Sequence, residues 1–314
     1  MIYIKSFKEL NKKDSLIAGG KGASLGEMTQ AGILVPTGFV ILSNAFERFL
    51  KETNLNVEID ATLHAVNTNE VHTAKNASEK IQRLILRTDM PQDIQEIIAK
   101  EFKNLNSKYV AVRSSATAED GKDHAWAGQL ESYLNTTEVE LLEKVKYCWA
   151  SLFTPRAIFY RIEKGLHKTK ISVAVVVQKM IESEISGIAF SVHPVTQDRN
   201  QLVIEAGFGL GEAIVSGQIT PDSYVVEKEP RNILDVNINT QIKGLFRGKK
   251  GGNEWGDISE PKASSQVLSK EQILKLSDLI LEIEKHYGFP CDIEWAYEKG
   301  MFYILQSRPI TTLQ

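Results

Sequence analysis

Asp292 and Glu294, in Cys291-Asp292-Ile293-Glu294-Trp295, and Gln306 and Arg308, in Ile304-Leu305-Gln306-Ser307-Arg308-Pro309, are side chains of the types that hold a cation and a phosphate. Alternation along a strand places Asp292 and Glu294 on one face, and Gln306 and Arg308 on one face of their own strand. Whether the two faces coincide depends on the turn between them. A three-residue loop of Glu298-Lys299-Gly300, with the glycine left-handed, sets Asp292 opposite Gln306 and Glu294 diagonal to it. A two-residue loop shifts the pairing by one and separates the faces. With the first arrangement, two carboxylates, an amide oxygen and a guanidinium converge. Oxygen ligands of this kind suit Mg²⁺, which is held by one or two carboxylates together with substrate phosphates, while Arg308 is able to grip a phosphate. The same spacing also describes a plain edge hairpin with charges facing water.

Further groups with phosphate chemistry lie upstream. Gly19-Gly20-Lys21-Gly22 ahead of a helix gathers backbone N–H groups, a positive helix end and an ammonium. It lacks the spacing of a P-loop, because Gly22 follows Lys21, so a structural turn is the competing reading. Arg113 follows the apolar run Tyr109-Val110-Ala111-Val112 and precedes Ser114-Ser115. A cation there serves anionic oxygens, or else pairs with Glu119 or Asp120. Gly207-x-Gly209-x-Gly211 misses the dinucleotide-binding fingerprint. The six histidines share no metal-binding spacing, and no nucleophile and base stand together.

The elements that must position these residues alternate without regular βαβ order, which predicts an α+β, two-lobed fold. Helices are expected from about 23 to 31, from about 43 with Ser43 as cap, and over 270–287, where Ile273, Leu276, Leu279, Ile280 and Ile283 form one stripe. Thr154-Pro155 opens another helix. The charged stretch 57–104 reads as a peripheral helical bundle. Strands are expected at 2–4, 109–112, 129–134, 173–180, 187–192, 202–205, 223–227 and 233–238. The run Val173–Met180 is apolar throughout, as befits a strand covered on both faces. Residues 247–256 read as a Gly- and Lys-rich loop.

Composition narrows the function classes. With 314 residues, 42% hydrophobic and 25% charged, the chain supports a large core, and a net charge of −3 with scattered basic residues argues against nucleic acid. Cys148 and Cys291 are unpatterned, which fits buried thiols in a reducing compartment. No basic-then-apolar leader and no run of about 18 apolar residues occurs, so a soluble, cytoplasmic protein without membrane attachment is expected.

Taken together, Gly19-Gly20-Lys21-Gly22-Ala23-Ser24-Leu25-Gly26-Glu27-Met28, Val112-Arg113-Ser114-Ser115-Ala116-Thr117-Ala118-Glu119-Asp120, Ala127-Gly128-Gln129, Gly209-Leu210-Gly211-Glu212 and the Asp292–Trp295 and Leu305–Pro309 segments resemble one family. It is the ATP-binding domain of phosphoenolpyruvate synthase, pyruvate phosphate dikinase and rifampin phosphotransferase. The resemblance runs from Gly19 to Pro309 and is silent over 51–104. It implies an ATP-grasp-like fold of two lobes, 1–185 with a helical insertion and 186–314 carrying the metal-site hairpin. It also implies ATP and Mg²⁺ as cofactors. By motif match, Lys21, Arg113 and Arg308 are the catalytic cations. Gly128 and Ser132 lie along the nucleotide, and Gln178 belongs to the stretch that meets adenine. Glu294 and Gln306 match the metal ligands, with Asp292 and Arg308 flanking them.

In such enzymes ATP is split to AMP and phosphate, and the β-phosphoryl group passes to a histidine on another domain. No histidine here sits in the Gly/Thr/Ser-rich stretch that carries that residue. The expectation is therefore an ATP-binding half that needs a phosphocarrier histidine domain or subunit as partner. The competing readings are a non-catalytic ATP-binding module and a standalone γ-phosphoryl kinase or ATPase. The final acceptor, pyruvate or a drug or other alcohol, is not written in this sequence.

Overall fold

The computed structural model describes residues 1–67, 70–117, 131–163, 172–311 and 313. Two compact units emerge, one of Met1–Glu27 with Thr37–Met180 and one of Met28–Pro36 with Ile181–Gln314. Sequence reasoning put the lobe division at 185/186 and gave no sign that Met28–Pro36 joins the later unit. There the Leu34 carbonyl accepts a hydrogen bond from the Ile304 N–H at 2.9 Å, a long-range contact that periodicity does not encode.

The first unit contains β1 (Ile4–Ser6), most of α1 (Ser15–Gln30), β2 (Gly38–Ile41), α2 (Ser43–Glu52), α3 (Leu55–His64), α4 (Val71–Arg87) and α5 (Gln92–Asn104). After these come β3 (Val110–Ala116), β4 (Ser132–Thr136), α6 (Glu138–Ala150), α7 (Pro155–Glu163) and β5 (Val173–Lys179). Its antiparallel sheet has the order β1-β2-β5-β3-β4. The β-branched run Val173, Val175 and Val177 forms the centre of that sheet and buries one face with Phe39, Ile41, Val110 and Val112. Against it pack Phe46 and Phe49 of α2, Ile81 and Ile85 of α4, Ile94, Ile98 and Phe102 of α5, and Trp149 of α6. Trp149 stacks on Phe49 with ring centroids 5.1 Å apart. The helices of 57–104 are thus not peripheral. Their apolar residues, four apart, supply the cover that the sheet requires.

The opposite face of this sheet carries three polar residues among buried Val40, Ala174 and Val176. Arg113 lies across from Val176 and Ser132, and Gln178 lies across from Ala111 and Gly38. Alternation therefore sets Arg113, Ser115 and Gln178 on one face.

The second unit contains β6 (Ile185–Phe190), β7 (Gln201–Phe208), α8 (Glu212–Val215), β8 (Asp222–Glu227), β9 (Ile233–Asn237), β10 (Lys243–Arg247) and β11 (Asn253–Asp257). It ends with α9 (Lys270–Tyr287), β12 (Cys291–Glu298) and β13 (Met301–Pro309). The order of its antiparallel six-stranded sheet is β13-β12-β6-β7-β8-β9. α9 begins with a reciprocal cap, Ser269 with Gln272, and packs against β12 through the stripe read from the sequence. Its Ile273, Leu276, Ile280 and Ile283 are fully buried, as are Ile293, Trp295 and Ile304 of the sheet. The stretch 247–256 is a loop only over 248–252; Arg247 ends β10 and 253–256 belong to β11, which pairs with it, and Leu245 bridges to Gly209. Among the described residues no helix is long and apolar enough to cross a membrane.

The fold is α+β in both units, and two such units are what the ATP-grasp resemblance implies.

Candidate nucleotide and metal site

β12 and β13 join through the two-residue turn Lys299-Gly300, both left-handed, with φ of 49° and 83°, and Glu298 faces Met301. Such a turn matches the twist of the strands it joins. On its own it would set Glu294 opposite Leu305 and send Gln306 and Arg308 to the far face. The ladder instead shifts between Glu294 and Trp295: Trp295 faces Ile304, whereas Glu294 faces Gln306. Leu305 is the extra residue, and this bulge restores the parity that the short turn removes. The expected pairing of Asp292 with Gln306 is corrected: Asp292 lies opposite Arg308, and Glu294 opposite Gln306. The same residues converge, by a turn and a bulge in place of a longer loop.

The contacts follow that register. Gln306 donates Nε2 to Glu294 Oε1 at 3.2 Å. Arg308 donates from Nε and Nη2 to the same oxygen of Asp292, Oδ2, at 2.8 and 2.7 Å. One edge of the guanidinium is thereby directed by Asp292, whose side chain is 14% exposed against 50% for Arg308. Burial lifts the Asp292 carboxyl above the ordinary carboxylate range, more than Arg308 draws it down, and Glu294 adds to the lift.

The donor set fits Mg²⁺. Glu294 and Gln306 are adjacent and carry hard oxygen donors of the kind Mg²⁺ takes, and among the described residues no cluster of three or more acidic, His or Cys groups able to hold a metal by themselves occurs. Such a pair would hold a cation only together with substrate phosphates and water.

Across the same sheet face, the register runs from Gln306 and Glu294 over Ile188 of β6 to Glu205 of β7 and Ser223 of β8. Sequence reasoning missed Glu205, since only strand pairing places it in this row. Burial raises its pKa, and the charge of Asp292 raises it further.

In the first unit, α1 is broken at Gly19, with φ 67° and ψ 170°. Any side chain there would collide with the Ser115 backbone, so both the left-handed angle and the close approach demand glycine. Lys21 thus sits in the first turn of the segment that restarts after the break, rather than in a loop before a helix at 23. The Gly22 N–H donates to Ser115 Oγ at 3.3 Å, which ties this turn to β3 two residues beyond Arg113. Lys21 is half-buried, and its charge is felt at the Cys148 thiol, which burial pushes well up, with Glu131 adding to the rise and Lys21 opposing it. Arg113 is half-buried beside exposed Ser132, and Gln178 is 2% exposed. Gly128, Glu119 and Asp120 lie outside the described residues. Cys148 and Cys291 are buried free thiols, the latter raised to about 11 chiefly by burial, so neither is a nucleophile.

Each unit thus carries polar groups on one sheet face, the first an arginine with a lysine-bearing helix start tied to the same strand, the second paired carboxylates, an amide and an arginine. This is the equipment of a nucleotide-binding domain. Residues 15–314 match the family described as pyruvate phosphate dikinase, AMP/ATP-binding domain, and the chain belongs to it. A probable phosphoenolpyruvate synthase of Methanocaldococcus jannaschii is 44% identical over 321 residues, covering 100% of this chain and 27% of that protein. One from Archaeoglobus fulgidus is 46% identical, covering 98% of this chain and 41% of that protein. The rifampicin phosphotransferase of Bacillus subtilis is 39% identical, covering 97% of this chain and 35% of that protein. The chain therefore spans less than half the length of these curated relatives.

Proposed function

We propose that the chain is the ATP-binding half of a dikinase-type phosphotransferase working in the cytoplasm with MgATP. The observation that carries this reading is the β12–β13 hairpin, where a bulge keeps Glu294, Gln306, Asp292 and Arg308 on one face. Burial of Ile293, Trp295 and Ile304 on the inner face accounts for the parity, but not for two carboxylates, an amide and a guanidinium sharing the outer one. In this proposal Glu294 and Gln306 hold Mg²⁺, which supplies charge neutralisation at the phosphates and a template for them. Arg308, aimed by Asp292, meets phosphate oxygens with the guanidinium edge that faces away from Asp292. Lys21 and Arg113 serve as further phosphate cations, Gly128 and Ser132 lie along the nucleotide, and Gln178 belongs to the adenine end.

These residues position the triphosphate and neutralise its developing charge, which is most of what phosphoryl transfer asks of a protein. The β-phosphoryl group gains a bond to a histidine nitrogen outside this chain as its bond to the AMP oxygen breaks. Water takes the γ-phosphoryl group as inorganic phosphate. Among the described histidines, His64 and His72 lie on exposed helix surfaces, His193 accepts backbone N–H groups at Nδ1, and His286 stands edge-on to the Tyr287 ring near the end of α9.

The test is to combine the chain with a phosphocarrier-histidine domain from a relative, MgATP and a radiolabel at the β position. AMP and labelled phosphohistidine are expected. ADP as sole product, or no turnover despite tight MgATP binding, overturns the proposal.

A further inference from the structure

Glu205 has no assigned task, and its surroundings are unusual for a carboxylate. It lies mid-strand on β7, half-buried, between Ile188 of β6 and Ser223 of β8 in the cross-strand row that starts at Gln306 and Glu294. Its cross-strand neighbour Ile188 is apolar, and buried Val203 precedes it by two residues on the same face. Among the described residues its carboxylate makes no hydrogen bond and no ion pair, and the charge it feels is the like charge of Asp292. With no protein donor beside it, this carboxylate is met by donors from solution, either water or a ligand.

The chemistry of such a ligand can be narrowed. A phosphate is repelled by a carboxylate and belongs with Arg308. A cation would find a single carboxylate here with Ile188 beside it, whereas the paired oxygen donors Glu294 and Gln306 stand together on β12–β13. The adenine edge presents a donor beside an acceptor, which a peptide matches and an ionised carboxylate, acceptor only, does not. A vicinal diol is neutral and offers two O–H donors to two carboxylate oxygens. Glu205 is two strands from Glu294, about 10 Å at the usual strand spacing. A single nucleotide covers that separation when its phosphates are at the hairpin.

We propose that Glu205 accepts the 2′ and 3′ hydroxyls of the ribose and is the residue by which this face selects ribonucleotides. The assignment rests on the MgATP reading above and adds to it the orientation of the nucleotide on the sheet, phosphates over β12–β13 and sugar over β7.

The experiment is calorimetric titration of the chain and of Glu205→Ala with ATP and with 2′,3′-dideoxy-ATP, both with Mg²⁺, alongside a thermal melt. The wild type should prefer ATP by about tenfold or more, as expected for losing hydrogen bonds to a charged acceptor. In Glu205→Ala the preference should fall to about onefold to twofold, with dideoxy-ATP bound as well as before. An equal preference in both proteins overturns the assignment and leaves the MgATP site standing. A changed Mg²⁺ requirement with sugar selectivity intact also overturns it, in favour of a metal role. Absence of MgATP binding by the wild type overturns both readings. If Glu205→Ala does not fold, Glu205→Gln replaces it. That variant keeps one acceptor oxygen but loses the charge, so its ATP preference should be reduced, and an undiminished preference overturns the assignment.

Discussion

Replacing Arg308 by alanine separates what the hairpin does for the fold from what it does for a ligand. In the wild type the guanidinium makes two charge-assisted contacts to one oxygen of Asp292, whose side chain is largely buried. Such a contact is worth about 1.5–3 kcal/mol when it is shielded. Arg308 is half exposed, so solvent screening and side-chain entropy reduce the stability term to about 1–2 kcal/mol. The pH dependence carries a sign. Burial already holds the folded pKa of Asp292 above its ordinary value while Arg308 pulls it down, so the variant must raise it further. A carboxyl whose folded pKa exceeds its unfolded pKa favours folding as it gains a proton. The wild-type advantage is therefore complete where Asp292 is ionised in both proteins, and it shrinks as Asp292 becomes protonated. Urea denaturation at about pH 8 and about pH 5 should show the Arg308→Ala deficit at the higher pH and a smaller one at the lower. The second substitution Asp292→Asn, made in the Arg308→Ala background, should recover part of the loss by removing the stranded charge. A deficit independent of pH, or no recovery, would refute the argument that Asp292 and Arg308 are energetically coupled. In parallel, MgATP affinity should fall about tenfold or more if Arg308 also meets phosphate.

Other outcomes follow from the same geometry. Glu294→Ala should abolish the Mg²⁺ dependence of ATP binding and leave the melting temperature within a few degrees of wild type, since the carboxylate is half-buried on an open face; unchanged Mg²⁺ dependence by calorimetry rules out the ligand assignment. Lys21→Ala and Arg113→Ala should each weaken MgATP binding by about 1.5–3 kcal/mol with AMP affinity less affected, and equal losses for the two nucleotides would place these cations away from the outer phosphates. Asp222→Ala should destabilise the second unit by about 3 kcal/mol or more, because its wholly buried carboxylate accepts from Tyr224 Oη, the Asn239 N–H and the Val267 N–H, and the donors would be stranded; chemical denaturation measures it. Gly19→Ala should lose stability and phosphate affinity together, as the break in α1 can neither adopt its left-handed angle nor sit against Ser115; a variant with intact MgATP binding by calorimetry would show that the break is not needed to present Lys21.

The sequence alone determined the periodic elements and the residue types. The stripe of α9, the β-branched run of β5 and the alternation of Asp292 with Glu294 are local properties, fixed by 3.6-residue and two-residue repeats. The family motifs likewise reside in short contiguous segments, which is why the domain family is legible before any fold. What depended on distant partners was not legible. That Leu305 bulges is settled by which residues of β12 it must face, that 57–104 covers a sheet follows from the sheet's need for a cover, and that Met28–Pro36 joins the second unit follows from a hydrogen bond to Ile304. Glu205 is the clearest case. In one dimension it is an acidic residue inside a strand, and only the pairing of β12, β6 and β7 puts it on the face of Glu294, because register is set by the summed burial of whole strands rather than by any residue within one.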